Sequence, residues 1–269
     1  MKGALLRAVA VLASLGFPTA AEAASVNGGF ENNFTGWEAI GDYRVENSTF
    51  GSGPVEGSAQ AFLSTAFNEV LVPTQPPQGS AVPVTFITGL SSNLEEFLGL
   101  STFFGDNSLD SIATAQPIEG SAIKQTFTAA AGDTLSFSWN FLTNESVEQA
   151  ARDDSTYPAF NDLAFATIKS DYSSEVFSLA DTISTSFRNS STPFFEETGF
   201  QTFSYIVPIT GSYTLGIGVV DVGEGTRISG LLVDNFEAVP ETSSTLGVVG
   251  LVFLGAYRIS AIRRSQKKQ

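Results

Sequence analysis

Neither cysteine nor histidine occurs in the 269 residues. The first absence removes disulfide staples and thiol or redox chemistry. The second removes the commonest general base and metal ligand, so a Ser-His-Asp triad and a His-built zinc site are both excluded. Positive charge is scarce as well, with 13 basic side chains against 28 acidic ones and a pI near 4.2. Between Ser25 and Val239 only Arg44, Lys124, Arg152, Lys169, Arg188 and Arg227 face 26 acids, a formal charge of −20. Such a body lacks the clustered cations that grip a phosphate backbone, and nucleic acid is not an expected partner.

A full-length hydrophobic span is also missing. The apolar run Thr245 to Tyr257 has thirteen residues, whereas a bilayer-crossing helix wants roughly 20. The other apolar segment, about Ala8 to Phe17, follows Lys2 and Arg7 and leads into Ala21-Glu22-Ala23. A basic start, a short apolar stretch and small residues two apart are the pattern of an export signal over 1–23, with Ala21 and Ala23 at the cleavage site. The mature chain is then expected to begin at Ala24 or Ser25, and Pro18 argues against an uncleaved anchor. An exported body of about 215 residues is long enough to bury a core without disulfides.

The body, 24–238, reads as β. In TLSFSWNFL, Leu135, Phe137, Trp139 and Phe141 alternate with Ser136, Ser138 and Asn140. The same alternation runs through Phe203, Tyr205 and Val207 and resumes at Tyr213, Leu215, Ile217 and Val219, so the Pro208 to Gly211 segment predicts a hairpin turn. Further strands are expected over 122–128, 162–169 and 228–236, and around Tyr43 and Phe62. Many short strands between Gly, Ser, Asn and Pro turns indicate an all-β antiparallel sandwich. One helix is expected over 92–99, with Ser92 and Glu95 at capping-box spacing, Leu94, Phe97 and Leu98 facing a core, and Gly99 as the stop. The Pro-rich stretch 72–83 before it reads as an extended loop inserted within the one domain.

Candidate chemistry in this body is confined to carboxylates and aromatics. Glu145 with Glu148, Asp153 with Asp154 and Glu196 with Glu197 are acidic pairs, and a glycoside hydrolase needs two carboxylates about 5–10 Å apart across its substrate. In so acidic a chain solvated loops produce such pairs by chance. Trp37 and Trp139 invite a sugar-stacking role, but Trp139 lies in the inward set of its strand and Trp37 sits beside Gly36 near the first one. Tyr157 and Phe160 are better placed for exposure.

Two stretches resemble a known architecture. The body opens VNGGFENNFTGWE (Val26 to Glu38) and closes LLVDNFEAV (Leu231 to Val239), a pairing similar to that of jelly-roll galactose-binding-like domains and carbohydrate-binding modules, and to exported cyanobacterial proteins of that build. The resemblance implies first and last strands lying close together around a structural calcium, with Glu31 and Asp234 as carboxylate ligands and a carbonyl near Asn27. Calcium takes oxygen ligands and needs neither His nor Cys.

The C-terminal segment 239–269 resembles a PEP-CTERM sorting signal. Pro240-Glu241-Thr242 departs from the family's Pro-Glu-Pro at the third position, while Ser243-Ser244-Thr245-Leu246-Gly247 follows its pattern. The resemblance implies an apolar helix over 245–262 that stalls in the inner membrane, and processing by an exosortase-type membrane enzyme that reads Pro240 and Glu241. Arg258, Arg263, Arg264, Lys267 and Lys268 would hold its end in the cytoplasm. A permanent single-pass anchor would have the same topology. Together these readings imply a non-enzymatic protein of the cell surface or extracellular polysaccharide matrix, glycan-binding or structural. The alternative is a carboxylate-dependent hydrolase or lyase.

Overall fold

Strand alternation in the sequence becomes two stacked sheets in the computed structural model, which describes residues 26–66, 89–100, 107–145, 160–183, 185–223 and 227–240. Segments 1–23, 72–83 and 241–269, together with Glu148, Asp153, Asp154 and Tyr157, lie outside the described residues. The strands are β1 (Glu38–Ile40), β2 (Asp42–Glu46), β3 (Gln60–Ser64), β4 (Gly89–Leu90), β5 (Pro117–Ala129), β6 (Thr134–Thr143) and β7 (Leu163–Ser170). They continue with β8 (Ser174–Asp181), β9 (Arg188–Asn189), β10 (Glu196–Glu197), β11 (Gln201–Ile206), β12 (Gly211–Val222) and β13 (Ser229–Val239). One sheet runs β1-β5-β12-β7-β8 with β4 also on β5; the other runs β2-β3-β13-β6-β10-β9 with β11 also on β6. Every pairing is antiparallel. The described residues form an all-β, two-sheet sandwich with one short α-helix.

The core fills the space between the sheets. Leu135, Phe137, Trp139 and Phe141 of β6 pack there as the alternation predicts, against Ile123 of β5 and Leu215, Ile217 and Val219 of β12. On β13 the inward positions are odd at Leu231 and Val233 and even at Phe236 and Ala238. A bulge between Asp234 and Glu237 makes that change of parity, with Asn235 at φ 53°. One extra residue flips the facing of everything after it.

The expected hairpin across 208–211 is corrected by the pairing. β11 bonds to β6 in one sheet, whereas β12 bonds to β5 and β7 in the other. The turn residues stand where predicted, but the connection arches between the sheets. Val207 is buried there and exchanges backbone hydrogen bonds with the β5–β6 turn, its amide donating to the Asp133 carbonyl and its carbonyl accepting from Gly132. The Tyr213 hydroxyl donates to the Ile209 carbonyl and closes the arch.

The helix, α1 (Ser91–Leu98), lies on the outer face of the β5-containing sheet, where Leu94 and Leu98 pack with Ala122, Phe165 and Val220. It stops as expected at Gly99, whose φ is +68°, with the Leu100 amide returning to the Glu95 carbonyl. Glu95, expected in a capping box, instead places an oxygen on the Leu109 amide 2.9 Å away. Burial pushes its carboxyl up. The only two lysines between Ser25 and Val239 both serve the helix end: Lys124 donates to the Phe97 carbonyl and Lys169 to the Gly99 carbonyl, each at 2.7 Å. Cations there complement the negative pole of the helix. Among the described residues no helix is long and apolar enough to cross a membrane.

Candidate functional site

The motif at the two ends of the body builds a junction. Asn27 is its hub: its amide donates to the carbonyls of Asn33 and Thr35, its side-chain oxygen accepts from the Asn32 amide, and its own carbonyl accepts from the Trp37 indole. This folds 26–37 into a plug in which Phe30 lies against Trp37, ring centroids 5.2 Å apart, and Trp37 meets Phe236 of the β13 bulge edge-on at 5.6 Å. The Phe236 amide donates to the Gly28 carbonyl, and the backbones approach so closely that a Cβ on Gly28 would lie 1.9 Å from the Phe236 oxygen. The opening and closing segments therefore do lie together, although the opening one is a chain of turns rather than a strand.

Glu31 and Asp234 both end on the loop over 51–59. Glu31 accepts from the Ser58 amide (2.5 Å), the Ser58 hydroxyl (2.7 Å) and the Ala59 amide (2.9 Å). These bonds, the Ser58 amide foremost, hold its carboxyl below the usual range. Asp234, fully buried, accepts from the amides of Val55 (2.6 Å) and Glu56 (2.9 Å) and of its neighbour Asn235. Burial pushes its carboxyl up, against those amides, and the Glu56 charge adds to the rise. Calcium takes six to eight oxygens. These carboxylate oxygens face N–H and O–H donors instead, and no cluster of three or more Asp, Glu, His or Cys side chains suited to a metal occurs among the described residues. The donor set is that of two anion-to-amide latches and does not fit a calcium cage.

The other chemistry-bearing residues are placed as follows. Trp37 and Trp139 are both buried in the core. Glu196 and Glu197 are consecutive in β10, so their side chains point to opposite faces and cannot straddle one substrate. Glu197 is buried and accepts from Ser52, Asn140 and both Nε and Nη2 of Arg188. Burial pushes its carboxyl up, but these bonds and the Arg188 charge outweigh it and hold it below the usual range. Glu145 is buried at the end of β6, and Phe160 is half-buried.

A feature the sequence reading did not single out lies at the β6–β13 end. Asn144, Phe195, Arg227 and Ile228 line a shallow, open groove of about 240 Å³. Phe195 is 71% exposed. The Phe195 amide donates to the Asn144 side-chain oxygen at 3.0 Å, and Arg227 Nη1 donates to the Asn144 carbonyl at 3.2 Å. Asn144 thus sets both the aromatic ring and the guanidinium at the groove. Arg227 makes no ion pair among the described residues. The sequence signal was the doublet Phe194-Phe195 in a Ser/Thr-rich loop. Phe194 turns inward onto Phe62, ring centroids 5.9 Å apart, and leaves its neighbour outside.

No family model and no curated protein matches the chain. Among solved structures, the carbohydrate-binding module TmCBM61 in complex with β-1,4-galactotriose is 13% identical with a TM-score of 0.40, over 80% of this chain and 96% of that one. A xylan-binding domain from CBM 22 is 11% identical with a TM-score of 0.30, over 84% and 99%. The K1 cleaved adhesin domain of Lys-gingipain from Porphyromonas gingivalis W83 is 11% identical with a TM-score of 0.32, over 76% and 94%. The similarity to carbohydrate-binding sandwiches is distant, and on such scores none of their ligands carries over to this chain.

Proposed function

We propose that the chain is an exported, non-catalytic sandwich that binds glycan at the Asn144–Phe195–Arg227–Ile228 groove, at the cell surface or in an extracellular polysaccharide matrix. The observation that carries this reading is the exposed Phe195 ring beside a guanidinium with no ion-pair partner among the described residues. The apolar C–H face of a sugar stacks on an aromatic ring, while its hydroxyls take hydrogen bonds from the guanidinium fork and a carboxamide. Arg227 serves better than lysine here because its donors are fixed in a plane. The groove is shallow and open, so a polymer can lie across it.

A binding role also fits the acids. The adjacent pair in β10 faces two ways and Glu197 is fastened to Arg188, so Glu196 and Glu197 do not form a hydrolytic couple across one substrate. Where the resemblance implies calcium, Glu31 and Asp234 act as latches that hold the 51–59 loop to the junction.

Delivery rests on the termini. The signal over 1–23 exports the body, and the segment 239–269 halts in the inner membrane for an exosortase-type enzyme that reads Pro240 and Glu241. Mass spectrometry of the cell-surface form tests this: loss of the residues beyond the processing site supports it, and intact Lys267-Lys268-Gln269 contradicts it. Glycan-array binding paired with a hydrolysis assay tests the function. Saturable binding without turnover that is lost in Phe195→Ala supports the reading, and turnover establishes the hydrolase or lyase instead.

A further inference from the structure

The end of the sandwich opposite the groove carries the other concentration of exposed apolar side chains. Ile206 of β11 and Val239 of β13 both pair with Thr134 of β6, one on each side. Leu135, the next residue, points into the core with Tyr205 and Ala238 beside it, so Ile206 and Val239 share the outer face. Their exposures are 69% and 45%. Ile209, 49% exposed, sits on the arch that follows β11, and Tyr172, 75% exposed, caps the β7–β8 turn at the same end, where Tyr213 pairs with Ser170. Four of the nine exposed large apolar side chains among the described residues thus gather at one end.

The chain leaves the sandwich at that end. Val239 closes β13, and only five residues, 240–244, separate it from the apolar run that begins at Thr245. Five extended residues span at most about 18 Å. With the run in a bilayer, the tether cannot hold this end far from the lipid headgroups. Among the described residues the charged groups near the patch include Asp171, Glu175, Glu237 and the buried Asp133, all acidic, and Lys169 is turned to the helix end. The contact is therefore apolar, made by isoleucine, valine and an interfacial tyrosine, and draws nothing from anionic lipid.

We infer that the face formed by Tyr172, Ile206, Ile209 and Val239 docks on the lipid surface while the C-terminal segment is inserted. The sandwich then stands upright, with its groove roughly 30 Å away at the far end of β13. The inference rests on the membrane reading of 239–269. It deepens the proposed function by fixing which end of the sandwich meets the membrane and which meets glycan.

The absence of cysteine gives a clean background for the test. Full-length protein carrying a single cysteine at Ile206→Cys, Tyr172→Cys or Ile228→Cys is labelled with an environment-sensitive fluorophore and reconstituted in phosphatidylcholine vesicles containing a lipid-borne quencher. Blue-shifted emission and lipid quenching at 206 and 172, with 228 water-exposed, support docking. Protein that floats with the vesicles but shows all three labels equally exposed overturns the docking and leaves the membrane segment standing. Protein that does not float at all defeats the membrane reading and the docking with it. Shielding at 206 that appears without vesicles and grows with protein concentration assigns the face to a second copy and overturns the inference.

Discussion

Gly28 and Gly29 are chemically identical neighbours with different duties. A Cβ at Gly28 would strike the Phe236 carbonyl at 1.9 Å, whereas one at Gly29 would rest 3.7 Å from the Asp234 side chain. Gly28→Ala should therefore cost about 2–4 kcal/mol, while Gly29→Ala stays within about 0.5 kcal/mol; urea unfolding of the two variants checks the contrast. Glu31 gives a pH signature. Its folded carboxyl titrates below the usual range because it accepts hydrogen bonds from Ser58 and Ala59. The stability it contributes is thus present above the unfolded carboxyl's pKa and is lost as pH falls through the folded one. Glu31→Gln should melt below the parent protein at pH 7, and the gap should close as the buffer is taken below about pH 4. Tyr205 is the counterpart at the alkaline end. Burial, with a hydrogen bond to Glu175, pushes its phenol up to about 12. Its contribution is full below about pH 10 and is lost as pH rises from there through about 12, so ultraviolet titration should show Tyr205→Phe lacking the last phenol to ionise. Residue-level roles were half legible in the sequence. The doublet NGGFE and the terminal DNF announced a junction, but the amides that meet Glu31 and Asp234 come from a loop more than 20 residues away along the chain, and no local pattern reports them.

Elements were legible wherever apolar residues face the core and polar ones face away. β6 alternates over 135–141 because Leu135, Phe137, Trp139 and Phe141 point between the sheets while Ser136, Ser138 and Asn140 point out, even though much of that outer face is itself covered, and α1 could be read from Leu94, Leu98 and Gly99. Partnership was harder, since alternation states which face of a strand is apolar and is silent about which sheet receives it. That is why β11 and β12 read as a hairpin yet lie in opposite sheets, with Val207 and Tyr213 fixing the arch. The parity change in β13 was hidden for a related reason: alternation does not report a bulge, which here holds Asn235 at φ 53° and turns the Phe236 amide to the Gly28 carbonyl of a segment far away along the chain. The helix offers a direct test of its supports. Lys124→Met and Lys169→Met keep the aliphatic stems and remove the cations from the helix end. Each should cost about 0.3–1 kcal/mol, with the loss shrinking in high salt. Leu98→Ala, which empties a packed site over the sheet, should cost about 2–5 kcal/mol. Denaturant titrations at low and high ionic strength separate the two effects.

At the scale of the whole molecule, the sandwich has two differentiated ends. One gathers Phe195, Arg227 and Asn144 around an open groove, and the other gathers exposed isoleucines at the point where the chain departs. The acidic body between them contains few cations, and those in the described residues are committed to the helix end, to Glu197 and to the groove, except Arg44, which lies 4.1 Å over the Phe62 ring and pairs with Glu46. Carboxylate-to-amide bonds tie both the first and the last segment to the 51–59 loop. Thermal melting in calcium and in chelator should therefore coincide, and a calcium-dependent rise that is absent in Glu31→Ala would restore the cation to that junction. The most direct test of the account is quantitative glycan binding by the parent protein and by Phe195→Ala, with the melting temperature of each recorded alongside. Saturable binding without turnover is expected in the parent, with loss of that binding in a variant that melts with the parent. Undiminished binding by Phe195→Ala, or hydrolysis of the bound glycan, would contradict it.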